Sequence, residues 1–208
     1  MGAAIHRIGG INMEGYFTGI LDLYYAPMTT EDTSSAAPVY DDPKVLAKSI
    51  EVTITPTYRE GKLQASNATV RNQKRIDTYT VSLHVDKVPY AVKSELLGRK
   101  VDGNGVQIIK GGNIPPNVAL GFACTLDDGS KELWWLYKGT FSEITKSAKT
   151  ESNAIEYQTP TIEGVFVRRM NDDALAATVE TASEDIGEGV ETGWFTTVYE
   201  ETPAVGGP

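Results

Sequence analysis

Residues 132–168 constrain the fold more than any other stretch, because they hold two extended runs joined by a polar connection. In the first run Leu133, Trp135, Tyr137 and Phe141 alternate with positions that turn polar after Leu136 (Lys138, Thr140, Ser142). That is the period of a strand with one buried face, and its aromatic and branched residues favour extended backbone. Thr145 to Ala154 contains no large apolar group and reads as a solvated hairpin loop. Ile155 to Arg168 returns as the partner strand. Ile155 and Tyr157 place the apolar face on odd positions, whereas Ile162 and Phe166 place it on even ones, with Pro160 between. Proline cannot donate to a ladder, so a bulge or edge break is expected there.

The tandem Trp134 and Trp135 must face opposite ways in such a strand. Trp135 is the expected core residue, and Trp134 is left for a subunit contact or a ligand-stacking platform. The preceding run, Val118 to Leu126, is apolar at every even position and small at Ala119, Gly121 and Ala123, so another element should pack closely on the small face. Asp127 to Gly129 turns it into Leu133, and three consecutive strands make an antiparallel meander. Cys124 is the only cysteine, which excludes an internal disulfide; in phase with Phe122 and Leu126 it reads as a small core residue.

Upstream, Gly19 to Ala26 reads as a first strand with Leu21, Leu23 and Tyr25 on one face. Pro27 to Val45 has three prolines and no period, and so predicts a loop of the long kind that is usually functional or disordered. Ser49 to Tyr58 alternates and fades near Pro56, Arg59 to Lys62 reads as a turn, Leu63 to Val70 alternates weakly, and Arg71 to Arg75 reads as another turn. Tyr79, Val81, Leu83 and Val85 then mark a clear strand. Asp86 can cap a short helix with Pro89 in its first turn, Val88, Val92 and Leu96 on one face, and Gly98 at its end. Arg99 to Lys110 resembles a small hairpin around Asp102 to Gly105. Asn171 to Gly193 carries seven acidic residues and no basic ones; it predicts a variable loop with a short helix near Ala174 to Val179. Trp194 to Tyr199 reads as a closing strand.

Charge and composition exclude several functions. With 28 acidic against 19 basic residues the formal net charge is -9, and no basic cluster of the kind that tracks phosphates stands out. No run reaches the roughly 18 apolar residues of a membrane span, and Met1 to Gly10 lacks signal-peptide anatomy, which predicts a soluble chain made in the cytoplasm. Two histidines, His6 and His84, leave little for a catalytic triad or a metal site, and no nucleophile elbow or phosphate-binding loop is present. No cofactor or metal is implied. An enzyme built on an unrecognised carboxylate pair is the least favoured reading.

Taken together, Leu133-Trp-Trp-Leu-Tyr-Lys-Gly-Thr-Phe-Ser-Glu143, Tyr157-Gln-Thr-Pro-Thr-Ile-Glu-Gly-Val-Phe-Val-Arg-Arg169 and Trp194-Phe-Thr-Thr-Val-Tyr199 resemble the major tail proteins of long, non-contractile-tailed phages of Gram-positive bacteria. Leu23-Tyr24-Tyr25-Ala26, the strand at Ser49 to Thr55 and the helix end Leu96-Leu97-Gly98 fit in the same order. The resemblance implies a mainly β fold, an antiparallel β-sandwich with one short flanking α-helix and long loops, over residues 19–200. It also implies an N-terminal arm at 1–18, an assembly loop at 26–45, an acidic segment at 171–193 that fits the family poorly, a tail at 201–208, and no C-terminal decoration domain. The implied role is structural and not enzymatic: six-membered rings of this chain stacked into a virion tail tube. Implied partners are the tape-measure protein, tail assembly chaperones, the tail terminator and distal tail proteins, with phage DNA passing through the lumen unbound and no membrane contact.

Tyr24, Tyr25, Pro27, Tyr40 and Trp134 are the expected subunit-interface residues, and Lys62 to Ile76 the expected lumen lining. Val81, Phe122, Trp135, Tyr137 and Phe141 are assigned to the core, where truncating an aromatic costs roughly 3–5 kcal/mol. The alternative from another class is a monomeric β-sandwich binding module for carbohydrate or protein, with Trp134 as its platform.

Overall fold

The computed structural model describes residues 16–65, 68–144 and 159–202. The arm up to residue 15, the loop Thr145 to Ala154, the return through Ile155 and Tyr157, and the tail from 203 lie outside the described residues. The chain opens with strands β1 (Phe17–Ile20) and β2 (Leu23–Thr30). A single strand from Gly19 to Ala26 was expected; the ladder breaks at Leu21 and Asp22 instead. Both strands pair with the edge of a later strand, with Ile20 opposite Cys124 and Tyr24 opposite Gly121, so four steps on one side face three on the other. The extra residue is a bulge, and it turns Leu21 outward to 42% exposure.

The expected loop from Pro27 to Val45 is interrupted by strand. β2 continues to Thr30, and β3 (Val39–Tyr40) and β4 (Lys44–Ala47) both return to pair with it. Residues 31–38 make the connection, pinned by a bridge between Thr33 and Ala36. Next come β5 (Ser49–Ala65) and β6 (Ala68–Val85), two long strands paired with each other from end to end. The turns expected at Arg59 to Lys62 and Arg71 to Arg75 do not occur. The described residues of those stretches, 59–61 and 72–75, are all exposed, which is why polar residues serve there. Pro56 is accommodated because β5 is the outermost strand, where a missing N–H breaks no ladder.

Helix α1 (Tyr90–Leu96) begins three residues later than a cap at Asp86 would place it, with Pro89 as N-cap; the Asp86 carboxylate accepts from the Lys87 N–H. Its Val88, Val92 and Leu96 side packs on the core. Gly98 ends it at φ +59°, and a Cβ there would sit 2.2 Å from the Ile114 carbonyl oxygen. β7 (Lys100–Val101) and β8 (Gln107–Ile108) form the small hairpin. The meander follows as β9 (Val118–Leu126), β10 (Lys131–Phe141) and β11 (Thr161–Val167), antiparallel throughout.

The C-terminal quarter differs from the sequence reading. Residues near Ala174 to Val179 form not a helix but strand β12 (Ala176–Glu180), paired with β10 from Glu132 to Leu136. β11 occupies that edge of β10 only from Lys138 onward, so the first half was open to a small-residue strand. After the short helix α2 (Val190–Gly193), Trp194 to Tyr199 is turn and coil; it closes the fold with side chains and adds no ladder.

The main sheet has the order β3-β2-β9-β10-β11-β6-β5, with β1 beside β9, β4 beside β2 and β12 beside β10. β1 and β5, far apart in that order, touch, so the sheet curls round a first core. That core holds Leu23, Tyr25, Val81, Leu83, Phe122, Leu136, Phe141 and Phe166, with α1 against it. A second core covers the opposite face of β9 and β10, where Ala119, Ala123, Leu133, Trp135 and Tyr137 meet Trp194 and Val198. The two faces of β9 therefore serve two cores, large residues in one and small residues in the other. The architecture is the antiparallel β-sandwich type, with a second helix of a single turn.

Candidate assembly surfaces

β11 pairs with β6 only from Thr78 to His84, while the β5–β6 pairing runs on from Tyr58 opposite Ile76 to Ala65 opposite Ala68. The hairpin therefore extends past the sheet as a two-stranded ribbon of roughly 25 Å at ~3.3 Å per residue. Between Tyr58 and Ile76 the sequence has five basic residues (Arg59, Lys62, Arg71, Lys74, Arg75) and one acidic, Glu60, in a chain whose net charge is -9. At its base Arg59 pairs with Asp77 at 3.0 Å, and the Lys74 ammonium stands 4.0 Å over the Tyr58 ring. Tyr58 and Ile76 stay exposed. A lone two-stranded ribbon is marginal in water, so this one gains by lying against another surface. The expected lining segment, Lys62 to Ile76, spans most of it.

The expected interface residues do not form one patch. Tyr25 departs from the expectation: it is 1% exposed inside the first core, and its hydroxyl donates to Glu95 at 2.6 Å, with burial and that carboxylate raising its pKa. Tyr24, on the other face of β2, is half-buried and stacks on Phe195 with ring centroids 4.5 Å apart. Pro27 is half-buried opposite Val118. Tyr40 is half-buried and donates to the Tyr137 carbonyl at 3.0 Å, and burial raises its pKa despite Arg169 nearby. Trp134 stacks on Phe122 with centroids 5.9 Å apart; its remaining surface lines an open cleft of about 460 Å³ with Phe17, Ile20, Ile50 and Val52. Val81, Phe122, Trp135, Tyr137 and Phe141 are all buried.

Two ionic knots that the sequence did not single out tie the second core's rim. Lys138 bonds the buried Asp32 and pairs with Glu31 at 2.8 Å, and Asp32 also accepts the Met170 N–H. Burial alone would raise the Asp32 pKa, but Lys138 and Met170 outweigh it and hold the carboxyl below its usual range. Arg169, 2% exposed, lies over the Tyr137 ring at 3.9 Å and bonds Asp172 and Glu200. Burial opposes its charge, yet the Glu200 and Asp172 bonds raise its pKa overall. Long sequence separation hid both knots; the pairing of Arg169 with Glu200 spans 31 residues.

No arrangement among the described residues looks built for a reaction. No group of three or more His, Cys, Asp or Glu could hold a metal ion there. Burial, with Glu132 nearby, pushes the Cys124 thiol up to about 11, which suits packing and not nucleophilic attack. His84 bonds Thr159 on the outer face. No helix among the described residues is long and apolar enough to cross a membrane.

No curated protein matches the chain. A solved structure titled "Crystal structure of Hcp protein" aligns over 78% of this chain and 99% of its own, with 11% identity and a TM-score of 0.35, too slight a likeness to carry any conclusion. The family model described as "Phage tail tube protein" matches residues 49–181, from the start of β5 through β12, well over half of the chain. That span takes in the projecting ribbon, α1 and the whole meander. The chain belongs to the phage tail tube protein family, whose members are structural components of the virion.

Proposed function

We propose that this protein self-assembles into hexameric rings that stack to form the tail tube of a long, non-contractile-tailed phage of Gram-positive bacteria, the conduit through which DNA reaches the host. The family supplies the tube, and the resemblance of the Leu133 to Glu143, Tyr157 to Arg169 and Trp194 to Tyr199 runs supports the phage type. The observation that carries self-assembly is the ribbon beyond Tyr58 and Ile76, whose two strands pair with each other past the point where β11 leaves β6, an arrangement that is marginal in water by itself. Its five basic residues argue against lining a lumen that must not hold DNA, since each contact with a phosphate strengthens binding. They favour contact with the acidic remainder of a neighbouring copy. In this reading the sandwich occupies residues 19–200, the tape-measure protein sets tube length, and chaperones, terminator and distal tail proteins act on its ends. A carbohydrate-binding module has less support, since Trp134 spends one ring face on Phe122.

Replacing residues 59–75 with an Asn-Gly turn tests the proposal. The shortened protein is expected to unfold within ~1 kcal/mol of the parent, because no core residue is removed, and to remain unassembled in light scattering at concentrations where the parent polymerises. Normal polymerisation of the shortened chain would contradict the role given to the ribbon.

A further inference from the structure

We propose that the β7–β8 flap of one protomer seats in the Trp134 cleft of a second copy, giving a head-to-tail contact between subunits. The inference rests on the self-assembly reading, because a second copy is the occupant. Five aliphatic side chains crowd the flap between residues 101 and 114: Val101, Val106, Ile108, Ile109 and Ile114 are all exposed, Ile109 to 67% and Ile114 to 82%. Single exposed aliphatics are ordinary; five on one short excursion mark a contact surface. The excursion is held in shape from behind. Buried Arg99 bonds Glu143 and donates to the Gln107 side chain at 2.8 Å, and Gln107 in turn donates through its side chain to Ser94 at 2.6 Å and through its backbone N–H to the Tyr90 hydroxyl at 2.7 Å. A preset surface loses little freedom on binding.

The cleft is its counterpart. Phe17 is 65% exposed at its mouth and Ile50 half exposed, with Trp134 and Val52 deeper. Charge also matches. The flap surrounds a hollow of about 680 Å³ that includes Lys100 and Lys110, the cleft includes Glu132, and none of the three forms an ion pair among the described residues. A flap meeting another flap would set lysine against lysine.

Placement rules out a contact within one chain. The flap leads into the Val118 end of β9, whereas the cleft lies around Phe122 and Cys124, roughly 13–20 Å further along the strand. Unlike patches at opposite ends of a protomer make a heterologous interface, which continues into a ring or a stack and does not stop at a dimer.

The test uses the full chain with Cys124→Ala and two new cysteines, Ile50→Cys and Ile109→Cys. Polymer formation is first checked by electron microscopy, and the particles are then treated with a short bis-maleimide and run on a denaturing gel. The expected result is a covalent ladder past the dimer, absent from a control pairing Ile109→Cys with Ser183→Cys. Intact tubes without a ladder would overturn the flap contact and leave the tube reading standing, while a parent chain that forms no particles would overturn both. An independent readout is charge exchange: Glu132→Lys is expected to raise the concentration needed for assembly about tenfold, and adding Lys110→Glu to restore it. Assembly indifferent to both changes would also overturn the contact.

Discussion

Gly121 shows how tightly the two cores are coupled through one strand. A Cβ built there would lie 2.8 Å from the Trp135 ring, which is fixed in turn by donating its indole N–H to the Trp194 carbonyl at 2.8 Å. Gly121→Ala is therefore expected to destabilise by about 1–3 kcal/mol in denaturant unfolding, as overpacking does; an unchanged midpoint would mean that the C-terminal segment gives way freely. The small residues at Ala119, Gly121 and Ala123 announced this close approach in the sequence, although not which element makes it. Tyr25 was harder to place, because alternation cannot separate a subunit interface from an interior when both faces of a strand are covered. At Asp32 the prediction concerns pH. Its carboxyl sits below the usual range when folded, so its contribution is present above the unfolded pKa of about 3.9 and is lost as pH falls through the lower folded value. The stability gap between the parent and Asp32→Asn should be full at pH 6 and shrink steadily below about pH 4. A gap that stays constant to pH 2 would show that Lys138 does not hold that carboxylate.

Among the elements, those whose large apolar residues recur regularly on one face were legible: β9, β10, the Tyr79 to Val85 part of β6, and α1. The ribbon was not, because its sequence has no hydrophobic period to read, and its polar residues imitate turns. β12 was missed for a different reason. Its Ala-Ala-Thr-Val-Glu sequence has no strong preference, and the open edge of β10 decided its state. Trp194 to Tyr199 has strand composition but packs its rings into the second core from a turn, with Trp194 stacked on Tyr199 at 4.9 Å. The ribbon experiment separates these roles: its removal spares both cores, whereas trimming from Trp194 onward would strip the cover from Trp135 and lower folding stability itself.

On the scale of the whole molecule, charge is divided unevenly, with a basic ribbon on an otherwise acidic body and an acidic 171–193 segment beside the second core. The exposed aliphatics of the flap and the apolar Trp134 cleft fall toward opposite ends of β9. Both features suit a subunit whose stability is completed by copies of itself, and the family membership gives that association its form. Membership of the tail tube family was legible in three sequence runs taken together, whereas the surfaces proposed to make contact needed coordinates, because they join residues from distant parts of the chain. Electron microscopy of the purified full chain, raised in concentration and with tape-measure protein and tail chaperone added, tests this most directly. The account predicts sixfold rings or hollow tubes; a protein that stays monomeric under all of those conditions would contradict it.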